Sequence, residues 1–269
     1  MSLLEGVLLG LVQGITEFLP ISSSGHLVLI HDFIAIDTPN TLALEGMLHL
    51  ATTLAVVLYF WSDIWTLLQA MLRRLGRLPV NKKDITLFYA LLLGTIPAVI
   101  LGLVIQPYIS GNLQSTNLVA SALFAASIFF MYAEWRYYTR SANETVTPKT
   151  GLMVGLFQAL ALLPGFSRSG ATIAGGMLMG MSRLEATRFS FLLAIPIMIG
   201  VSARNLLGLI TNGGSVDWTP VLAGCFAAFV SALIVIHSFL SFIRRYTLWP
   251  FIWYGLILAC LVGYVSLIS

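Results

Sequence analysis

The sequence predicts an all-α polytopic membrane protein, with six transmembrane helices plus two re-entrant half-helix hairpins arranged as an inverted repeat. Three observations carry this expectation. Of 269 residues, 58% are hydrophobic and only 9% charged, whereas about a quarter of an ordinary soluble domain is charged. Six apolar runs are long enough to cross a hydrocarbon core, which takes about 20 residues of helix. Two further apolar regions are interrupted by Pro, Gly and Ser where a spanning helix would need continuity.

In chain order, the first broken region runs over 3–19, is interrupted at 20–25 and resumes over 26–36. The first span follows at 42–62. The loop 63–84 carries Arg73, Arg74, Arg77, Lys82 and Lys83. Spans 85–106 and 117–137 come next, joined by 107–116, which holds no Lys or Arg. The loop near 138–150 holds Arg140 and Lys149, with Arg136 at its edge. The second broken region covers 151–163, an interruption at 164–170, and 171–181. The last spans are 188–210, 219–241 and 248–268; Arg183 and Arg188 flank the first of these and Arg244 and Arg245 the last, while 211–218 has no basic residue. The 13 residues of 151–163 reach about 20 Å as a helix, short of the roughly 30 Å core. Each broken region therefore reads as a hairpin of two half-helices. Irregular backbone at that depth is tolerated only where protein buries it or it lines a cavity.

Positive-inside bias places the Lys/Arg-bearing loops on the cytoplasmic side and 107–116 and 211–218 outside. Both termini then fall outside, the first hairpin opens outward and the second inward. Arg204 is the one misfit, near the outer end of its span, where it snorkels or faces a cavity. An ungapped alignment of 6–25 with 151–170 gives seven identities in twenty, including Gly6/Gly151, Gly10/Gly155, Gln13/Gln158, Ser22/Ser167, Ser24/Ser169 and Gly25/Gly170. The repeats are 1–140 and 150–269, each one hairpin followed by three spans, and an odd number of spans inverts the second copy. Such repeats place the working site near the midplane, where broken helices meet.

Composition also excludes functions. The net charge of +3 sits in short loops, and no basic patch or aromatic-interleaved strand suits nucleic acid. Cys225 and Cys260 lie inside apolar runs and read as packed thiols. Glu5, with no early Lys or Arg, is unlike a cleaved signal peptide.

The chemistry gathers at the two interruptions. Ser22, Ser23, Ser24 and Gly25 open one half-helix; Ser167, Arg168, Ser169, Gly170 and Thr172 open the other. A helix N-terminus offers free N–H groups and a partial positive charge, which suits phosphate. Serine hydroxyls add donors, although three serines and a glycine also make an ordinary cap and turn. Arg168 needs an anionic partner in this apolar setting, and its planar fork suits phosphate oxygens; Glu17 or a bound phosphate fills that role. Gln13 sits one turn before Glu17 on the same face, where it supports Glu17 or bonds across helices, while Gln158 reads as structural. His26 completes an acid–base set with Glu17. Glu45 and His49 form an i, i+4 pair in the first span that would line the cavity; His31, Asp32, Asp37, Glu134 and His237 read as interfacial or packed. Two classes stay open on these residues. One is an enzyme acting on the phosphate of a membrane substrate; the other is a carrier for an anion or anionic lipid. The acid–base pair favours the enzyme.

"QGITEFLPISSSGH" (13–26) and "LPGFSRSGATIAGGMLMG" (163–180) resemble the two signature motifs of the undecaprenyl-diphosphate phosphatase family, also called bacitracin-resistance proteins; "LLLGTIPAVILGL" (91–103) and the overall length fit as well. The resemblance covers essentially the whole chain. It implies a bacterial inner-membrane enzyme that hydrolyses undecaprenyl diphosphate to the monophosphate and inorganic phosphate, recycling the lipid carrier of peptidoglycan and envelope polymers. It further implies a site open to the periplasm and a divalent cation (Mg²⁺ or Ca²⁺), for which Glu17 is the candidate ligand, and a homodimer is expected because members are often dimeric. Carried over by motif, Gln13, Glu17, Ser22, Ser23 and His26 belong to the first signature, and Ser167, Arg168, Ser169 and Thr172 to the second. Many members have Glu where this chain has Gln13, and Gln is neither a general base nor a strong metal ligand. The expected mechanism is in-line transfer to Ser23, with His26 as general base and Glu17 orienting His26 or binding metal; His26 or water are the rival nucleophiles.

Overall fold

A computed structural model describes residues 1–34, 41–109, 115–139, 146–212 and 217–268. The described residues form eleven α-helices and one short 3₁₀ turn, with no strand among them. The first hairpin is α1 (Leu3–Thr16) and α2 (Ser23–Ile34). The second is α7 (Pro148–Gln158), the 3₁₀ turn Ala159–Leu162 and α8 (Arg168–Leu178). Around them stand α3 (Thr41–Tyr59), α4 (Trp61–Leu75), α5 (Lys82–Ile109), α6 (Thr116–Thr139), α9 (Arg183–Asn212), α10 (Trp218–Ile243) and α11 (Trp249–Ile268). Helices α5, α6, α9, α10 and α11 are long and apolar enough to cross a membrane; α3 and α4, bent by 76° at their break, make a sixth when taken together as one broken span. The chain is a multi-pass membrane protein.

The small-residue faces explain how the half-helices seat. α1 packs along α10 and α7 along α5. A side-chain carbon added to Gly6, Gly10 or Gly14 would land on the α10 backbone at Pro220, Gly224 and Ala228; one on Gly151 or Gly155 would land on the α5 backbone at Ala90 and Gly94. Glycine at every fourth position thus lets two backbones approach as close as packing allows. α3 packs on α9 and α6 on α11. Under the correspondence α1/α7, α3/α9, α5/α10 and α6/α11, these contacts map onto themselves. Matched caps start the first helix of each hairpin: Ser2 with Glu5 on α1, and Thr147 with Thr150 on α7, where Pro148 occupies the first turn at no hydrogen-bond cost.

Several expectations need correction. Residues 61–75, read mostly as cytoplasmic loop, are α4. The helix breaks at Phe60 and restarts with Ile64, Leu67 and Ala70 turned towards the protein and Trp61, Trp65, Leu68, Leu72 and Leu75 exposed. The basic run that signalled a loop includes its last turn, where Arg73 and Arg74 face the negative helix end. Arg188 ties α9 to Asp63 at 2.7 Å. Cys260 is exposed on α11 and is not a packed thiol, whereas Cys225 is half-buried and packs against a core cluster. Glu134 is fully buried, as expected of a packed residue, and accepts from Arg183 Nη2 at 2.5 Å and from the Leu248 N–H at 2.7 Å. That junction locks α6, α9 and the start of α11. Asp37 and Arg140 lie outside the described residues.

Candidate functional site

The two interruptions fold into matching turns. Ser22 and Ser167 adopt positive φ angles of 68° and 66°, a conformation L-residues avoid unless the surroundings impose it. In each, the hydroxyl accepts the N–H three residues on: Ser22 Oγ from Gly25 and Ser167 Oγ from Gly170, both at 3.2 Å. The N–H groups of Ser23 and Ser24, and of Arg168 and Ser169, carry no backbone hydrogen bond, as the first turn of a helix requires. Phe18 anchors the first tip from beneath, edge-on to Phe191 at 5.1 Å.

Glu17 joins the tips. Its side chain is only 4% exposed and Arg168's 15%. Glu17 Oε1 accepts from Arg168 Nη2 at 2.8 Å. Oε2 accepts the Ser23 hydroxyl at 2.6 Å and the Gln13 amide at 2.8 Å. Gln13 Nε2 also lies 3.1 Å from His49 Nδ1, which stands 3.5 Å from Glu17 Oε2. Two buried atoms are left over: Arg168 Nη1 has no acceptor and Gln13 Oε1 no donor. A buried guanidinium arm without a partner is costly and marks where an anion would complete the set.

A cavity of about 460 Å³ opens beside these groups, within the size range of small-molecule sites. Glu17, Ser22, Ser23, Ser24, Ser167 and Arg168 line its polar end, with His49. Ala98, Val99 and Leu103 of α5 and Ile197 and Val201 of α9 make an apolar wall, and Arg204 and Asn205 also line the cavity. Arg204, the misfit in the loop-charge pattern, therefore faces a cavity. His49 does line the cavity, as its spacing suggested; Glu45, one turn earlier, is not among the lining residues.

Other expected site residues sit elsewhere. His26 is turned away from Ser23: its Nδ1–H donates to the Ser22 carbonyl at 2.7 Å and its Nε2 pairs with Tyr254 Oη at 2.6 Å, the two rings being parallel. Both ring nitrogens are thus engaged by groups other than Ser23, whose hydroxyl donates to Glu17 Oε2 instead. Thr172 is buried behind α8, bonded to the Arg168 carbonyl at 2.9 Å and Ser190 Oγ at 2.6 Å. Ser169 Oγ donates to the Leu19 carbonyl at 2.9 Å, tying one tip to the other. The N–H groups of Gly25 and Gly170 are spent on the caps, and Gly170 is small because the Phe130 ring lies against it. Thr172, Ser169, Gly25 and Gly170 thus shape the tips and do not line the cavity. Gln158 does line it, with Nε2 near the Gly94 carbonyl at 3.5 Å and Oε1 unpartnered.

The residues do not make a cation cage. Glu17 is the single carboxylate at the tips, and both its oxygens are taken up by Arg168, Ser23 and Gln13. Among the described residues no group of three His, Cys, Asp or Glu side chains could hold a metal ion.

A family model described as "Bacitracin resistance protein BacA" matches residues 6–261. Curated relatives span the same length. An undecaprenyl-diphosphatase of Marinobacter nauticus is 38% identical over 259 residues, covering 96% of this chain and 97% of its own. An undecaprenyl-diphosphatase of Alteromonas mediterranea is 36% identical over 262 residues, covering 97% and 98%. Undecaprenyl-diphosphatase 1 of Pseudoalteromonas translucida is 38% identical over 258 residues, covering 96% of each.

Proposed function

The chain belongs to the bacitracin resistance protein BacA family, and from that premise we infer that it is an integral membrane phosphatase that hydrolyses undecaprenyl diphosphate to undecaprenyl phosphate and inorganic phosphate. The observation that carries this reading is the Ser23–Glu17–Arg168 set: a hydroxyl 2.6 Å from a buried carboxylate whose other oxygen holds an arginine with one arm unpartnered.

In this reading the terminal phosphate sits against Arg168 Nη1 and the free N–H groups of the two tips. Ser23 Oγ attacks the phosphorus in line, Glu17 Oε2 takes the hydroxyl proton, and the bond to the bridging oxygen breaks. Undecaprenyl phosphate leaves with its oxygen bearing the electron pair. Water then attacks the phosphoserine, the bond from phosphorus to Ser23 Oγ breaks as Glu17 returns its proton to that oxygen, and the water's second proton passes to the released phosphate, so Ser23 and the Glu17 carboxylate are both restored. Arg168 and the helix N-termini stabilise the charge on the equatorial oxygens, where most phosphoryl-transfer catalysis lies. The apolar wall of the cavity receives the first prenyl units. An ion carrier needs the cradle but has no use for a serine hydroxyl on a carboxylate, which favours the hydrolase.

The site opens to the periplasmic face of the inner membrane, a reading supported by the loop charges, and the protein acts as a homodimer, as the family resemblance implies. The side chains supply no cage for Mg²⁺ or Ca²⁺; a divalent cation would have to come with the diphosphate's own oxygens, as is usual for Mg²⁺ on phosphates, and would neutralise part of their charge. The test is inorganic phosphate release from undecaprenyl diphosphate by detergent-purified protein. Release by the parent and its collapse in Ser23→Ala and Glu17→Gln are expected; a folded parent that releases none, or a Ser23→Ala variant at parental rate, overturns the reading.

A further inference from the structure

We propose that His49 is a positioning residue of this site: through the Gln13 amide it fixes the carboxylate that takes the proton of Ser23. The proposal rests on the phosphatase reading above and adds an element, α3, that neither signature motif contains.

Gln13 is fully buried. Its Nε2 has two hydrogens and two partners, Glu17 Oε2 at 2.8 Å and His49 Nδ1 at 3.1 Å. An amide nitrogen only donates. For that contact to be a hydrogen bond, His49 Nδ1 accepts, which is the tautomer with the ring proton on Nε2. With both hydrogens engaged, the amide plane is held at two points. A flip would aim Gln13 Oε1 at Glu17 Oε2 at the same short distance, an acceptor–acceptor contact. The amide in turn fixes the second hydrogen bond on Glu17 Oε2, leaving that oxygen aligned on the Ser23 hydroxyl at 2.6 Å.

The His49 carbonyl accepts the Thr52 hydroxyl at 3.0 Å and the Thr53 hydroxyl at 2.6 Å, back-bonds of the helix that leave both ring nitrogens to the site. The side chain is 22% exposed and lines the cavity. No step of the transfer assigns it a proton, and its link to Ser23 runs through Gln13 and Glu17.

The experiment compares His49→Ala, His49→Asn, Gln13→Ala and the double variant Gln13→Ala/His49→Ala in the full-length protein, by phosphate release from undecaprenyl diphosphate. His49→Ala is expected to lower kcat about tenfold or more, the scale of a lost supporting partner, with KM within about twofold because the phosphate donors are untouched. His49→Asn, whose Oδ1 replaces Nδ1 as acceptor, is expected to recover most of that loss. The double variant is expected to be no slower than Gln13→Ala alone within about twofold, since both act on one hydrogen-bond chain. Parental kcat in His49→Ala, no recovery in His49→Asn, or multiplied losses in the double variant each overturn the proposal. A parent that releases no phosphate ends the phosphatase reading instead. The positioning claim then still has its own readout in nitrogen-15 spectra of histidine-labelled protein. A bare Nδ1 signal that disappears in His49→Asn and shifts in Gln13→Ala is expected; a protonated Nδ1 overturns it.

Discussion

Arg168→Lys separates the two arms of the guanidinium. Arg168 places Nη2 on Glu17 at 2.8 Å and leaves Nη1 buried without a partner. Lysine has one nitrogen, so it keeps the pair with Glu17 and gives up the second arm. The ion pair survives, and the expected stability loss is about 1 kcal/mol, the scale of one hydrogen bond. Catalysis loses one donor aimed at developing charge, which costs roughly 10²–10³ in kcat, about 2.7–4 kcal/mol. Arg168→Ala behaves differently: it strands a carboxylate that is 4% exposed and is expected to cost about 3–5 kcal/mol of stability as well. The assay pairs thermal unfolding in detergent with phosphate release at saturating lipid. Arg168→Lys that melts with the parent and turns over about a hundredfold or more slowly supports the division. A kcat within about threefold of the parent refutes it, because the second arm would then do nothing; melting as low as Arg168→Ala also refutes it, because the pair would not have survived.

Other outcomes follow from the packing and from the turn at the first tip. Gly155→Leu drives a side chain into the α5 backbone at Gly94 and is expected to cost about 1–3 kcal/mol or more in unfolding experiments, whereas Gly208→Leu, with open space around it, should leave the melt unchanged. Glu134→Gln strips the buried partner of Arg183 and should lower stability by about 3–5 kcal/mol, with activity per folded molecule retained when rates are normalised to folded protein. His26→Asn keeps a donor for the Ser22 carbonyl and should hold kcat within about tenfold; a loss of roughly 10²–10⁴, the contribution of a general base, would restore His26 to that role.

The architecture was legible because the bilayer enforces it. Apolar runs too short to cross, broken by Pro and Gly, leave a re-entrant hairpin as the way to satisfy the backbone, and the glycines of the repeat mark where α1 and α7 meet α10 and α5. Glu17, Ser23 and Arg168 were legible for a related reason: a charge or a serine cluster at membrane depth needs a partner. What the sequence hid depends on side-chain direction. His26 adjoins the serines in the chain, yet the positive φ at Ser22 turns its ring to Tyr254 on α11, a contact across 228 residues. Thr172 carries a motif position but hangs behind α8 on Ser190. His49, legible as half of an i, i+4 pair with Glu45, also reaches Gln13 and Glu17 on another helix, which spacing along α3 does not show. α4 was masked by counting its arginines as loop charge, because its apolar residues divide between a face on the protein and an exposed stripe.

The central claim is that Ser23 takes the phosphate from the lipid while Glu17 takes its proton. Its most direct measurement is to trap the intermediate. Protein would be mixed with undecaprenyl diphosphate labelled in the terminal phosphate and quenched within one turnover, in parallel acid and alkaline arms that preserve phosphoserine and phosphohistidine respectively. Mass spectrometry would then locate the label. The account predicts phosphate on Ser23, absent from Ser23→Ala and strongly reduced in Glu17→Gln. Phosphate on His26, or turnover with no covalent phosphate at any time, contradicts it.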